Sequence, residues 1–242
     1  MKKLLREINS FVKGFILFLR PGVYLGFLAK PLLFLANLLQ LTKWISRENR
    51  KDILNDFYRP VRKYSDRVKL YEYVLRNEGL SGEQINYLEF GVFGGNSFKW
   101  WMNANKNPLS RFYGFDTFDG LPEAWGTYGR GDMSSLLPEV EDSRHEFVKG
   151  LFQETLFTFL STHSIDGGRR VIHMDADLFS STLFVLTTLA SFLQRGDIIF
   201  FDEFNVPNHE FFAFKIFTES FYIKFELLGS VNNFYQVAFK VK

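Results

Sequence analysis

Past residue 67 the chain alternates between two kinds of apolar spacing. "VKLYEYVLRNEGL" places Val68, Leu70, Tyr71, Val74 and Leu75 at helical intervals. "INYLEFGV" is short, apolar and rich in branched and aromatic residues, which predicts a strand. The pattern then repeats: "NSFKWWMNAN" reads as helix, "RFYGFDTF" as strand, and "HEFVKGLFQETLFTFLSTH" as a short strand followed by a helix. "RRVIHMDADLF" is a strand and "STLFVLTTLASFLQRG" a helix ending at Gly196; "DIIFFDEFN" is a strand and "HEFFAFKIFTESF" a helix. "IKFELLGSVNNFYQVAFKV" closes the chain as two strands around "GSVNN". Strands alternating with helices predict an α/β, doubly wound, mostly parallel sheet with helices on both faces.

The first 50 residues have a different texture. "MKKLLREINSFVKGFILFLRPGVYLGFLAKPLLFLANLLQLTKW" is greasy but broken by Lys13, Arg20 and Lys30 and punctuated by Pro21 and Pro31. Counted between those breaks, no apolar run reaches the roughly 18–20 residues a spanning helix needs. No small-residue cleavage site follows, so a secretory signal is a poor fit. Short basic, aromatic-rich helices lying in the headgroup layer fit residues 1–45. Packing against the body or against a second subunit, as a homo-oligomer, stays open beside that reading. The division expected is residues 1–50 as a hydrophobic-basic helical extension and 51–242 as the α/β domain, with "SRENRKDILNDFYRPVRKYSDR" as a charged link or helix face.

Charge sharpens this division. Residues 1–47 carry eight Lys/Arg against Glu7, a net of +7 within a chain total of +2, so the remainder stands at −5. An acidic body with no basic–aromatic pattern argues against nucleic acid as a partner. The chain has no cysteine, which excludes disulfides, thiolate catalysis and Cys-ligated metals and fits a reducing, cytoplasmic compartment.

Candidate chemistry gathers where the strands end. In open α/β sheets ligands bind beyond the carboxyl ends of the strands. Those ends give Glu89 with "FGVFGGNS", then Asp116, then Asp175 and Asp177, then Asp202 and Glu203. Gly91, Gly94 and Gly95 form a turn from strand into helix that lets backbone approach a ligand. Their spacing is not that of a dinucleotide fingerprint. Asp116 follows where an acid commonly holds ribose hydroxyls. In extended chain, Asp175 and Asp177 leave the same face about 7 Å apart. A hard divalent cation such as Mg2+ would make this crowding favourable, and Asp177 would then be free to take a proton. Capping and pairing with Lys or Arg are the competing explanation. Residues 119–146, with Trp125 and Tyr128, are too long for a plain connection and read as a lid or acceptor loop. His145, within it, reads as exposed and His173 as a buried core histidine.

"YLEFGVFGGNSFKWW", "FYGFDTFDGLPE", "KGLFQETL", "VIHMDADLFSSTLFVL" and "GDIIFFDEF" together resemble the macrocin O-methyltransferase (TylF-type) family. The resemblance covers about residues 65–205. It implies a Rossmann-like class I methyltransferase with a seven-stranded, mostly parallel sheet and an antiparallel C-terminal strand. It implies S-adenosylmethionine (SAM) bound by Glu89, Gly91, Gly95, Ser97 and Asp116, a divalent metal on Asp175 and Asp202, and Asp177 as general base; the strand-end acids themselves add Glu203 as a third metal ligand. The acceptor implied is a sugar or polyol hydroxyl on a small molecule or glycan. One departure is visible: the family has two aspartates where this chain has Asp202 and Glu203, and the extra methylene moves the second carboxylate. Two rival functions stand beside this one. The D-x-D at Asp175 and Asp177 would also suit a metal-dependent glycosyltransferase, and a non-catalytic membrane adaptor could keep the fold.

Overall fold

The computed structural model describes residues 1–242, which form two compact units, residues 1–40 and 41–242. In the first, helix α1 (Lys2–Leu19) has no buried residue. Arg20 takes a left-handed conformation and Pro21 opens α2 (Pro21–Leu25). A 3-10 turn at Gly26–Leu28 leads into α3 (Ala29–Glu48). Helical structure thus runs on from Pro21 to Glu48, with one 18-residue window of mean hydropathy 1.6. This differs from the expectation that no segment is long enough to span a membrane; by length and composition this one is. The apolar runs between the charged and proline breaks are short, yet Pro31 does not break the helix. It sits in the first turn of α3, where a missing N–H removes no helical bond. The last part of α3 belongs to the second unit. There Trp44 packs its ring on Phe204 and Phe234, with centroids 5.0 and 5.7 Å apart.

The second unit is one eight-stranded sheet in the order β1-β7-β8-β6-β5-β2-β3-β4. The strands are β1 (Leu54–Asn55), β2 (Ile85–Phe90), β3 (Arg111–Asp116), β4 (His145–Lys149), β5 (Arg169–Met174), β6 (Ile198–Phe201), β7 (Phe225–Val231) and β8 (Gln236–Val241). Only β8 runs against its neighbours, pairing antiparallel with β6 and β7. The eighth strand, two-residue β1, pairs parallel with β7 and comes from the segment the sequence marks only as a charged link. This is the Rossmann-like methyltransferase architecture expected, with one short strand added.

Alternation along the central strands sorts the core into two layers. Tyr87, Val171, Ile198 and Phe200 face one side, with α4 (Arg67–Asn77) and α5 (Asn96–Ala104) packed on them. Leu88, Phe90, Ile172, Met174, Ile199 and Phe201 face the other. That side is covered by α6 (Phe152–Thr162), α7 (Phe179–Leu189) and α8 (Glu210–Phe221). The strands read as near-continuous apolar runs because both of their faces are covered. Truncating an anchor such as fully buried Trp101 to alanine would cost about 3–5 kcal/mol. Helix α7 stops at Leu189, before the expected Gly196, whose φ of 99° instead turns the chain into β6.

The sheet order reverses between β2 and β5. From β2 the chain steps outward to β3 and β4, then crosses back to β5. A crevice opens at such a reversal, and Gly91 and Asp175 lie there.

Candidate active site

The glycine turn after β2 is shaped by close approach. A Cβ on Gly91 would lie 1.8 Å from the carbonyl oxygen of Asp175, and Gly91 has a φ of 96°. Only glycine lets strands β2 and β5 leave the sheet side by side here. Asp116, at the end of β3, secures the turn. Its Oδ2 accepts the N–H groups of Val92 and Phe93, both at 2.8 Å, and its Oδ1 accepts that of Phe118 at 2.8 Å. Each carboxylate oxygen has two lone pairs, so Asp116 keeps acceptor capacity on the cavity it lines.

That cavity has a volume of about 570 Å³. Gly91, Gly94, Ser97 and Asp116 line one part; Asp175, Asp177 and Glu203 line another. Two predicted cofactor residues lie elsewhere. Glu89 is fully buried behind the turn and does not line the cavity. Its Oε1 accepts Ser97 Oγ–H at 2.5 Å and its Oε2 accepts the Tyr87 hydroxyl at 2.6 Å, so it anchors the first turn of α5 from beneath. Burial pushes its carboxyl up to about 7 against those hydrogen bonds. Gly95 is covered too: a Cβ there would meet Pro138 of the long loop at 2.9 Å.

His173 sits at the centre of a buried chain. Tyr87 gives its one proton to Glu89, so at 2.9 Å it accepts from His173 Nδ1; His173 Nε2 then accepts from Tyr71 at 3.3 Å. Burial lowers the imidazole to about 3, and the Arg67 charge adds to the effect, so the ring is neutral. His173 is thus a hydrogen-bonded core histidine, with no nitrogen free for a metal.

The acids themselves form two overlapping groups. Asp175, Asp177 and Glu203 bring carboxylate oxygens within 4.8 Å of one another; a ring nitrogen of His173 and oxygens of Asp175 and Asp202 do the same. Asp175 is common to both. Asp202 Oδ2 is occupied: Tyr64 donates to it, and Arg67 Nη1 lies at 3.5 Å from it and 3.8 Å from Asp175 Oδ2. Asp202 Oδ1 and Glu203 Oε2 are buried without a partner. Glu203 Oε1 receives the Tyr235 hydroxyl at 3.3 Å, and its backbone N–H donates to Glu210 Oε2 at 2.9 Å.

Every acid of the group is pushed toward its neutral form. Burial raises Asp177 to about 7, helped by the Asp202 charge. Burial, then the charges of Asp175 and Asp202, drives Glu203 well up; burial and Asp202 do the same to Asp175. Asp202 is also raised by burial, against the pull of Arg67. One guanidinium does not balance this set of carboxylates. The buried, unpartnered Oε2 of Glu203, grouped with Asp175 and Asp177, fits a divalent cation that accepts oxygen ligands; Asp202 falls in the other group and does not line the cavity. The glycine turn and the first turn of α5, with Asn96 and Ser97 on the cavity wall, fit an anionic amino-acid group beside a ribose.

The long loop lies over the site. Trp125 and Tyr128 stack with centroids 5.6 Å apart and both line the cavity. Ser135 Oγ donates to the Phe93 carbonyl at 2.9 Å, and Ser180 Oγ donates to Glu123 at 2.6 Å, tying the loop to the glycine turn and to α7. His145 is outside this cover: it begins β4 and its Nδ1 bonds the Asp142 carbonyl. Tyr64, Arg67 and Glu210 carry no motif in the sequence. They show their place only once the fold brings them to the acids.

Comparison with known proteins agrees with this geometry. Residues 88–204 match the model of the methyltransferase domain. The fold is similar to that of CalS11, a calicheamicin methyltransferase, at 20% identity over 85% of this chain and 91% of that one, with a TM-score of 0.57. An apo structure of CalS11, described as a TDP-rhamnose 3'-O-methyltransferase, aligns at 20% identity over 85% of this chain and 93% of that one, TM-score 0.51. The O-methyltransferase NovP aligns at 21% identity over 73% of this chain and 78% of that one, TM-score 0.50. No curated protein matches the sequence. The match is to the methyltransferase domain at large and does not single out the macrocin family.

Proposed function

We propose that this methyltransferase-domain chain is a SAM- and divalent-metal-dependent O-methyltransferase acting on a sugar or polyol hydroxyl, in the manner of the macrocin (TylF-type) enzymes. The observation that carries the reading is one cavity holding both a glycine turn with Asp116 and a cation-deficient group of carboxylates. The sugar acceptor is supported by the description of CalS11 as a TDP-rhamnose methyltransferase and by the Trp125–Tyr128 pair, a flat apolar platform of the kind sugar rings stack on.

Gly91, Gly94 and Ser97 line the part of the cavity for the amino-acid end of SAM, and Asp116 faces its ribose. Asp175 and Glu203 would hold the ion, with Asp202 next to Asp175 and its Oδ2 fixed by Tyr64 and Arg67. When bound, SAM supplies an electrophilic methyl group and the ion a positive charge at the acceptor oxygen. Asp177 would take the proton of the acceptor's hydroxyl. A carboxylate raised to about 7 is well matched to that task near neutral pH. The Trp125–Tyr128 cover excludes water and orients the hydroxyl for in-line attack. The compartment that goes with this reading is cytoplasmic.

The glycosyltransferase alternative has only the D-x-D spacing in its favour, and the methyltransferase match takes the place of a nucleotide-sugar site. Calorimetry separates the two. Titration with SAM and with its demethylated product in Mg2+ should give saturable binding. Saturable binding of a nucleotide sugar, with none of SAM, would overturn the proposal.

A further inference from the structure

The amino-terminal helices carry apolar surface that their own unit leaves bare. On α1 the residues Leu4, Ile8, Phe11, Val12, Phe15 and Leu19 recur at helical spacing and fall on one side, in a stripe about 100° wide. Phe11 is 75% and Phe15 54% exposed. The opposite side carries Lys2, Lys3, Arg6 and Lys13, with Glu7 near its edge. An isolated helix gains little from exposing such a stripe to water, and burying it is worth about 25 cal/mol per Å². Something must cover it.

Charge decides what. A second copy of α1 meeting the stripe face to face would cover the apolar side but leave Lys2, Lys3, Arg6 and Lys13 on the outer sides with no counter-charge. An anionic lipid surface supplies that counter-charge: each Lys or Arg near it contributes about 1 kcal/mol of attraction. The bare surface also continues past α1. Val23, Tyr24, Phe27, Leu32 and Phe34 are all exposed, and they do not form a single narrow seam of the kind a partner helix grips. A fluid apolar phase needs no seam.

We propose that residues 1–40 dock the protein on an anionic lipid bilayer, with α1 lying in the plane of the interface, its phenylalanine stripe among the acyl chains and its lysines at the headgroups. This rests on the exposed stripe and the charge pattern, and is independent of the reaction catalysed.

The full-length protein is floated with vesicles of phosphatidylcholine alone and of phosphatidylcholine mixed with phosphatidylglycerol. Binding should favour the anionic vesicles by at least about tenfold and weaken as salt is raised. Lys2→Glu together with Lys3→Glu should weaken it by a further factor of about ten or more. Phe11→Glu together with Phe15→Glu should abolish it. Ser10→Lys, on the basic side, should leave it intact. SAM affinity measured on each variant reports that the body is still folded. Equal binding to neutral and anionic vesicles, or none to either, would overturn the proposal. So would a homodimer, seen by light scattering, that the phenylalanine variant dissociates, since a second copy would then be the cover.

Discussion

The carboxylate group and the amino-terminal helices are both left uncompensated by the chain itself, in opposite senses. At the ends of β5 and β6, negative charge is buried with too little positive charge to balance it. In residues 1–40, apolar surface is exposed with nothing apolar to meet it. Burial makes the first unfavourable and exposure makes the second so. Each therefore specifies its missing partner by contrast: a compact cation for the acids, an extended apolar and anionic phase for the helices. The difference also sets how each responds to change. The acids should be sensitive to single atoms, while the head should be sensitive to total charge and total apolar area.

Asp177→Asn gives the largest expected effect and tests the sharp side of that contrast. It removes one proton acceptor and keeps the shape, so turnover should fall by about 10²–10⁴-fold. SAM affinity and vesicle binding should stay as in the parent. An active Asn variant would show that the proton leaves by another route and that Asp177 only shares in the local charge.

Arg67→Ala comes next. Arg67 is the one arginine within ion-pair reach of both Asp175 and Asp202, and Asp202 is fully buried. Removing one partner of a buried pair costs about 3–5 kcal/mol; the separations of 3.5 and 3.8 Å put this pair near the lower figure. Because the acids would then lack any fixed cation, added Mg2+ should raise the melting temperature more in the variant than in the parent. Equal responses to Mg2+ would break the comparison, since the group would then not be short of positive charge.

Arg67 also marks where the sequence stops being legible. Strand ends, the glycine turn and the recurrence of acids are local patterns, and they located Asp116, Asp175, Asp177, Asp202 and Glu203 on one edge of the sheet. Arg67 and Tyr64 stand in a polar stretch with the composition of a solvated link, and their partner Asp202 is more than a hundred residues away. Nothing local distinguishes them from Arg62 or Lys63. Glu89 fails in the other direction: an acid at a strand end looks exposed, but Tyr87 and Ser97 draw it inward. Pro31 misleads for a positional reason, since whether a proline breaks a helix depends on which turn it occupies. The pattern shows which residues share an edge; side-chain reach and burial decide which of them meet.

The pH response is the smallest effect and the one that sets the two regions most directly apart. Glu89 and Asp177 have carboxyls raised to about 7, from ordinary values of 4.5 and 3.8. Between the lower and upper values the folded chain holds protons that the unfolded chain has released. Stability must therefore fall as pH rises through that window. In the presence of a chelator, the melting temperature should drop by a few degrees between about pH 5 and pH 8, at about 2–4 °C per kcal/mol for a chain of this size. Mg2+ favours the ionised acids around Asp175 and should shrink the drop without removing it, because Glu89 lies behind the cavity and keeps its own preference. Turnover should move the other way, rising through about pH 7 as Asp177 becomes able to accept a proton. Residues 1–47 contain no histidine, and vesicle binding should be flat over the same range. A melting temperature that rises with pH in chelator would mean that the buried acids are already balanced inside the fold, and the contrast between a cation-deficient body and a lipid-seeking head would lose its first half.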